Sequence, residues 1–155
     1  MKKYLLDTFH YNDWANRKQL EKIKLLPEKD ECVNLFSHLI HSQNKWLARL
    51  TNNPEEKNMK WFDAPFPLEE LEMQWTKSLN AWLDFINSKT EEQLFAEVQY
   101  NGLDGNKYEA KLQDIALQLN FHSIHHRAQM QTIIRSQGLT PDFLDYIGTV
   151  YKKVF

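Results

Sequence analysis

The stretch Lys111–Ser136, KLQDIALQLNFHSIHHRAQMQTIIRS, is long, free of Gly and Pro, and apolar at the spacing of one helical face. A helix advances about 100° per residue, which brings Leu112, Ile115, Leu119, Met130 and Ile133 within about 60° of one another. Gly138 follows, a residue suited to the left-handed position that ends helices. His122 and His126 fall inside the apolar stripe, one turn apart. Two imidazoles therefore interrupt a seam that otherwise reads as core. Spacing of i and i+4 lets both rings converge on one point, as helical His pairs do when they share a metal ion.

Three further segments have helical periodicity. The first runs from about Lys3 to Leu26 and stops at Pro27; its stripe reads Leu5, Phe9, Asn12, Asn16, Leu20, Ile23. Two amides sit one turn apart in that stripe, and buried amides cost free energy unless hydrogen-bonded. Polar gaps in two stripes predict one shared polar site, and facing helices commonly build metal sites in this way. The second segment, about Asp30 to Asn52, has Leu35, Phe36, Leu39, Leu47 and Leu50 on its apolar side. It offers His38 at the border of that side and His41 further towards solvent. Geometry favours His38 without excluding His41. The third spans about Leu68 to Ser88, with Leu71, Trp75, Leu79, Trp82 and Ile86 as its stripe. His10 and His125 project away from these faces and read as surface residues.

The connections are equally informative. Between the second and third segments, Trp61, Phe62 and Phe66 are expected to fold back as a cover. Thr90-Glu91-Glu92-Gln93 reads as a capping box opening a short turn. Phe95, Val98 and Tyr100 then precede Asn101-Gly102-Leu103-Asp104-Gly105 and Tyr108, the pattern of a small β-hairpin between helices three and four. After Thr140-Pro141-Asp142, the aromatics Phe143 and Tyr146 are expected to dock. The fourth helix carries a second apolar patch, Leu117, Phe121, Ile124 and Ala128. The hairpin or tail could cover it, but a two-fold dimer is the favoured partner.

The 155 residues fit a single domain, 1–155, with no internal repeat. A formal net charge of −2 and the lack of a Lys/Arg run argue against a nucleic-acid face. Asp7, His10 and Asn12 break any apolar stretch after Lys2-Lys3, and nothing approaches the ~18 apolar residues of a membrane span. One cysteine, Cys32, excludes an internal disulfide and fits a reducing compartment; it lies on an apolar face as a small core residue. The expectation is a cytoplasmic protein with no membrane or nucleic-acid partner.

Three motifs carry a resemblance that runs nearly end to end. Tyr11-Asn12-Asp13-Trp14-Ala15-Asn16 resembles the opening of the DinB (damage-inducible) family, within the DinB/YfiT-like metalloenzymes. So does Leu35-Phe36-Ser37-His38-Leu39-Ile40 with Trp46-Leu47 beyond it. His122-Ser123-Ile124-His125-His126-Arg127-Ala128-Gln129 resembles the family's H-x-x-x-H-R-G-Q signature, with Ala128 where Gly is usual, and Thr140-Pro141 and Asp145-Tyr146 resemble its ending. The resemblance implies an all-α, antiparallel four-helix bundle with a long connection. It implies one divalent ion, zinc or nickel, held by His38, His122 and His126, which selects His38 over His41. It also leans towards a homodimer.

Three neutral imidazoles leave coordination positions open for water or substrate. No Glu follows His122, so the H-E-x-x-H arrangement is absent, as are a Ser-His-Asp order and a phosphate loop; the sequence assigns no catalytic residue. DinB-like proteins resemble thiol-dependent transferases that use bacillithiol, mycothiol or glutathione. The expected function is metal-assisted transfer of such a low-molecular-weight thiol to a small electrophilic substrate. A metal-dependent hydrolase and a non-catalytic metal-binding stress-response protein are the alternatives. Asn12 and Asn16 are candidates to orient metal-bound water or substrate from the outer shell of the site.

Overall fold

Pro27 sets the first boundary. It disfavours helical backbone at the residue before it, and Leu26 is extended at φ −67°, ψ 142°, so α1 spans Lys2–Leu25. In the computed structural model, which describes residues 1–102 and 104–154, α2 follows as Asp30–Leu50. Asp30 and Glu31 lie in its first turn, where the helix dipole favours negative charge. Asn52 ends the segment at φ 52°, a left-handed conformation that Asn tolerates better than most residues.

A 3₁₀ turn, Pro54–Asn58, opens the connection to α3, Leu71–Ser88. That helix begins three residues later than periodicity predicts. The amides of Glu70 and Leu71 bond back to the carbonyls of Pro67 and Leu68, so the chain first makes tighter turns. The Thr90–Gln93 capping box is present in full and opens α4, Glu91–Phe95. Strands β1 (Glu97–Asn101) and β2 (Lys107–Lys111) pair antiparallel from Glu97↔Lys111 to Asn101↔Lys107. Leu103 of the expected turn lies outside the described residues. Helix α5 spans Leu112–Ser136, and α6 is a single turn, Ile147–Val150. Gly138 takes φ 84° while Leu139 N–H donates to the Ile134 carbonyl, the Schellman ending that Gly permits. The protein is therefore mostly helical with one small antiparallel sheet.

Helix α1 packs against α3 and α5, and α2 packs against the same two helices. Two apolar clusters fill the interior. One joins Leu20 and Ile23 to Phe36, Leu71, Trp75 and Met130; the other joins Leu5 and Phe9 to Leu79, Trp82, Ile86 and Leu112. Their membership fixes the helix directions. The start of α1 meets the end of α3 and the start of α5, so α1 and α5 run one way while α2 and α3 run the other. Contacts α1–α3 and α2–α5 are antiparallel, as expected, but α1–α5 and α2–α3 are parallel. That pairing requires the connection 51–70 to travel back along the roughly 27 Å of an 18-residue helix.

Trp82 illustrates how the layers lock. It is fully buried, stacks on Phe9 at 5.7 Å, and its indole N–H donates to the Gln43 carbonyl at 2.9 Å. Cys32 is buried, as expected of a core residue. The tail docks through Leu144, buried with Tyr11 and Ala15, and through the Tyr146 ring against Tyr11. Phe143 does not share that role; it remains 61% exposed, because Leu144 occupies the position against α1. No helix among the described residues is long and apolar enough to cross a membrane.

Candidate metal centre

The antiparallel contact of α2 with α5 brings His38 opposite the His122/His126 pair. His122 Nε2 lies 3.2 Å from His38 Nε2 and 2.9 Å from His126 Nε2. The outer nitrogens are engaged elsewhere. His38 Nδ1 donates to the Trp61 carbonyl at 2.6 Å, and His126 Nδ1 donates to Gln129 Oε1, also at 2.6 Å. A carbonyl oxygen can only accept, so these contacts hold the protons on Nδ1. The Nε2 lone pairs of His38 and His126 then both face the centre, and a proton on His122 Nε2 answers one of them at most. A shared cation resolves the conflict. Separations of 2.9 and 3.2 Å suit three nitrogens each about 2.0–2.1 Å from one ion. The donor set therefore fits a divalent metal, with His38 and His126 carrying the outer hydrogen bonds that metal-ligating imidazoles usually make.

Electrostatics favour the same state. Burial, reinforced by the neighbouring imidazoles, pushes the His122 pKa down to about 4. Burial also lowers His38 and His126 against the opposing effect of their Nδ1 hydrogen bonds. All three are neutral near pH 7, the form that binds metal. Cys32 stands apart: burial, aided by Glu31, raises its thiol to about 11.

The other predicted residues divide. His41 stacks on Phe66 at 4.6 Å and contacts the Ala64 carbonyl, so it anchors the connection rather than joining the triad. His125 and His10 are exposed. The polar gap of α1 does not merge with the imidazole site, as the sequence led us to expect. Arg127 Nη1 donates to Asn12 Oδ1, to Asn16 Oδ1 at 2.9 Å and to Ser123 Oγ at 3.0 Å. Arg127 Nη2 donates to the Tyr11 hydroxyl at 3.3 Å, which in turn donates to the Leu144 carbonyl. Arg127 and Ser123 lie on the α5 face turned to α1 and take up both amide oxygens and Asn16 Nδ2, while Asn12 Nδ2 is buried with no partner among the described residues. Neither Asn12 nor Asn16 is hydrogen-bonded to an imidazole among the described contacts. Arg127 is 3% exposed and has no carboxylate partner among its described contacts; neutral oxygens solvate it.

The connection 51–70 closes over the triad. Phe62 stacks face to face on His38 at 3.9 Å although its side chain is 74% exposed. Phe66 N–H donates to Ser37 Oγ at 3.0 Å. Buried Lys45 donates to the carbonyls of Glu56 and Met59 and pairs with the Glu56 carboxylate at 3.0 Å, a contact Arg49 shares. Arg49 also lies over the rings of Trp46, Trp61 and Tyr100, tying this connection to the hairpin. Under the cover is a cavity of about 320 Å³ that His38 and His122 both line. Periodicity could not reveal Trp61's carbonyl, which is backbone. Gln129 was accessible in principle, since a side chain three residues beyond His126 can reach back to it.

The family model of the DinB superfamily matches residues 27–130, about two-thirds of the chain and a span that includes all three histidines. The chain belongs to the DinB superfamily. No curated protein and no solved structure matches it.

Metal analysis of purified protein should find one divalent ion per chain in the wild type and in His41→Ala and His125→Ala, and none in His126→Ala. Full occupancy in His126→Ala would mean that the ion sits elsewhere. A second expectation concerns acid. The triad's pKa values are lowered from the ordinary value near 6.5, so neutral imidazoles stabilise the metal-free fold above pH 6.5, and that contribution is lost as pH falls towards about 4. The melting temperature of chelator-treated wild type should fall more steeply between pH 6.5 and 4.5 than that of His122→Gln. Equal slopes would contradict it.

Proposed function

We propose that the chain is a single-domain, DinB-like four-helix bundle over residues 1–155 that transfers a small cytoplasmic thiol to a small electrophile. In this reading one divalent ion, zinc or nickel, is held by His38, His122 and His126. One observation supports a reactive site over a structural one: three imidazoles converge beside a cavity, and no fourth His, Cys, Asp or Glu joins them among the described residues. When bound, a divalent ion supplies Lewis acidity that lowers the pKa of a thiol or of water. The chain's own residues do the rest. Trp61 and Gln129 orient the imidazoles, burial keeps them neutral, and the cover limits water around the reacting groups. In the transfer the thiol gives its proton to solvent, sulfur forms a bond to the electrophilic carbon, and the leaving group departs with the electron pair of the broken bond.

The test is a matrix of glutathione, bacillithiol and mycothiol against monochlorobimane and 1-chloro-2,4-dinitrobenzene. Turnover is expected only with both thiol and metal present, and His122→Ala should lose it. Hydrolysis of p-nitrophenyl acetate without thiol would replace this reading with a hydrolase. Stoichiometric metal with neither activity would leave a binding protein.

We also propose a homodimer through the outer face of α5. The tail reaches Tyr11 but leaves Phe121 60% and Ile124 43% exposed, beside an equally bare Tyr4. Light scattering at micromolar concentration should give twice the mass of one chain, and Phe121→Asp should halve it. A wild-type monomer would overturn the dimer.

A further inference from the structure

A second cleft, of about 530 Å³, opens between the end of α2, the 3₁₀ turn Pro54–Asn58 and the end of β1. It shares no lining residue with the cavity at the triad. Lys45, Arg49 and Lys57 bring positive charge to it, and Glu56 is the one carboxylate among its described lining residues. Lys45 and Arg49 are largely buried, and both reach the same oxygen, Glu56 Oε1, at 3.0 Å. One carboxylate therefore balances one of the two cations. Lys57, exposed on the rim, adds a further positive charge.

The two buried cations differ in what they leave free. The Lys45 ammonium directs its three protons to the Glu56 and Met59 carbonyls and to Glu56 Oε1, so it contributes charge without a free donor. A guanidinium has five N–H donors, and Arg49 uses Nε–H and one Nη2–H on Glu56 Oε1, at 3.3 and 3.0 Å. Arg49 Nη1 has no hydrogen-bond partner among the described residues. It is not one of the buried unpaired atoms either, so it stays within reach of water. Nη1 and Nη2 form the outer edge of the fork, where two parallel N–H groups match the two oxygens of one carboxylate. The rings of Trp46, Trp61 and Tyr100 lie 4.9–5.5 Å from the guanidinium carbon and, with Glu56, hold the fork in place. A charge flanked by rings is less screened by water, which strengthens what its edge binds. Asn52 and Asn101 line the same cleft with exposed side-chain amides that have no partner among the described contacts.

We infer that this cleft binds a small, polar carboxylate, with its two oxygens on the Nη1/Nη2 edge of Arg49 and its body beside Asn52 and Asn101. A single unbalanced buried charge suits a monoanion. The site is separate from the triad, and the inference does not rest on the transferase reading.

Gluconate, acetate, sorbitol and inorganic phosphate serve as probes of the full chain. Each is tested on metal-loaded and on chelator-treated protein, because an anion could also settle on a bound metal ion. The Nε–H signals of the four arginines report the site in ¹⁵N-correlated spectra, with Arg49 assigned through Arg49→Lys, and calorimetry gives the affinities. Gluconate should shift the Arg49 signal saturably in both preparations. Acetate should do so about 3–10-fold more weakly, and sorbitol, which lacks the carboxylate, should not shift it. Arg49→Lys keeps the charge but loses the fork, and should weaken gluconate by about 10-fold or more. Lys57→Ala removes only an exposed charge and should weaken it by less than about 3-fold. Should Arg49→Lys not fold, Asn101→Ala serves instead: it should weaken gluconate by about 2–5-fold and leave acetate unchanged. A shift confined to the metal-loaded protein, an equal shift with sorbitol, or phosphate binding as tightly as gluconate would overturn the inference, as would undiminished binding in these fork and amide variants. None of these measurements reads turnover, so failure of the transferase reading would leave them untouched.

Discussion

Two lone pairs aimed at one point organise this molecule. His38 and His126 have their Nδ1 protons committed to the Trp61 carbonyl and the Gln129 side chain, so both Nε2 lone pairs face inward, where a proton on His122 Nε2 can answer only one of them. Inside a protein such a concentration of acceptors is unfavourable unless a cation sits among them. Most other features of the site follow from that demand. Burial suppresses protonation, which would be the competing way to satisfy the nitrogens. The antiparallel contact of α2 with α5 supplies one imidazole from one side and two from the other.

A buried charge on the neighbouring face of α5 poses the opposite problem. Arg127 brings its own cation, so it needs acceptors: Asn12, Asn16, Ser123 and Tyr11 provide neutral oxygens. Adjacent residues of one helix thus present complementary problems, His126 an excess of acceptors and Arg127 an excess of donors. Lying on separate faces, they keep the guanidinium away from the imidazole nitrogens. The amides of α1 are consequently hydrogen-bonded to α5 through Ser123 and Arg127. The Arg127–Tyr11–Leu144 chain extends that link to the C-terminal tail.

Sequence periodicity was sufficient for the long helices, the capping box at Thr90 and the hairpin, because each depends on local spacing. It was also sufficient to mark His122 and His126, since a polar residue inside an apolar stripe is anomalous on its own helix. Choosing His38 over His41 required the family resemblance, because both lie near the edge of the same face. Direction and partnership were less legible. Nothing local distinguishes α2 running parallel to α3 from the antiparallel alternative. Pairing Asn12 with Arg127 rather than with the imidazoles depends on how α1 rotates against α5. The start of α3 was misplaced by three residues because tight turns and a helix share apolar spacing over so short a stretch.

The helix directions also explain why the site has a cover at all. Consecutive helices that run antiparallel need only a short turn, whereas α2 and α3 run the same way, so the chain must return along the length of the molecule between them. That return passes over the face where α2 meets α5, and Lys45, Arg49 and His41 fasten it there through Glu56, Met59 and Ala64. Once fastened, its backbone supplies the acceptor that orients His38, and its rings supply two walls of the cavity. One stretch of chain therefore meets three requirements that could have fallen to separate elements: it closes the topology, sets the His38 tautomer, and walls the cavity beside the triad. A change in the connection that spares every histidine should still alter the imidazole triad, because the His38 tautomer is set by a carbonyl that belongs to the cover.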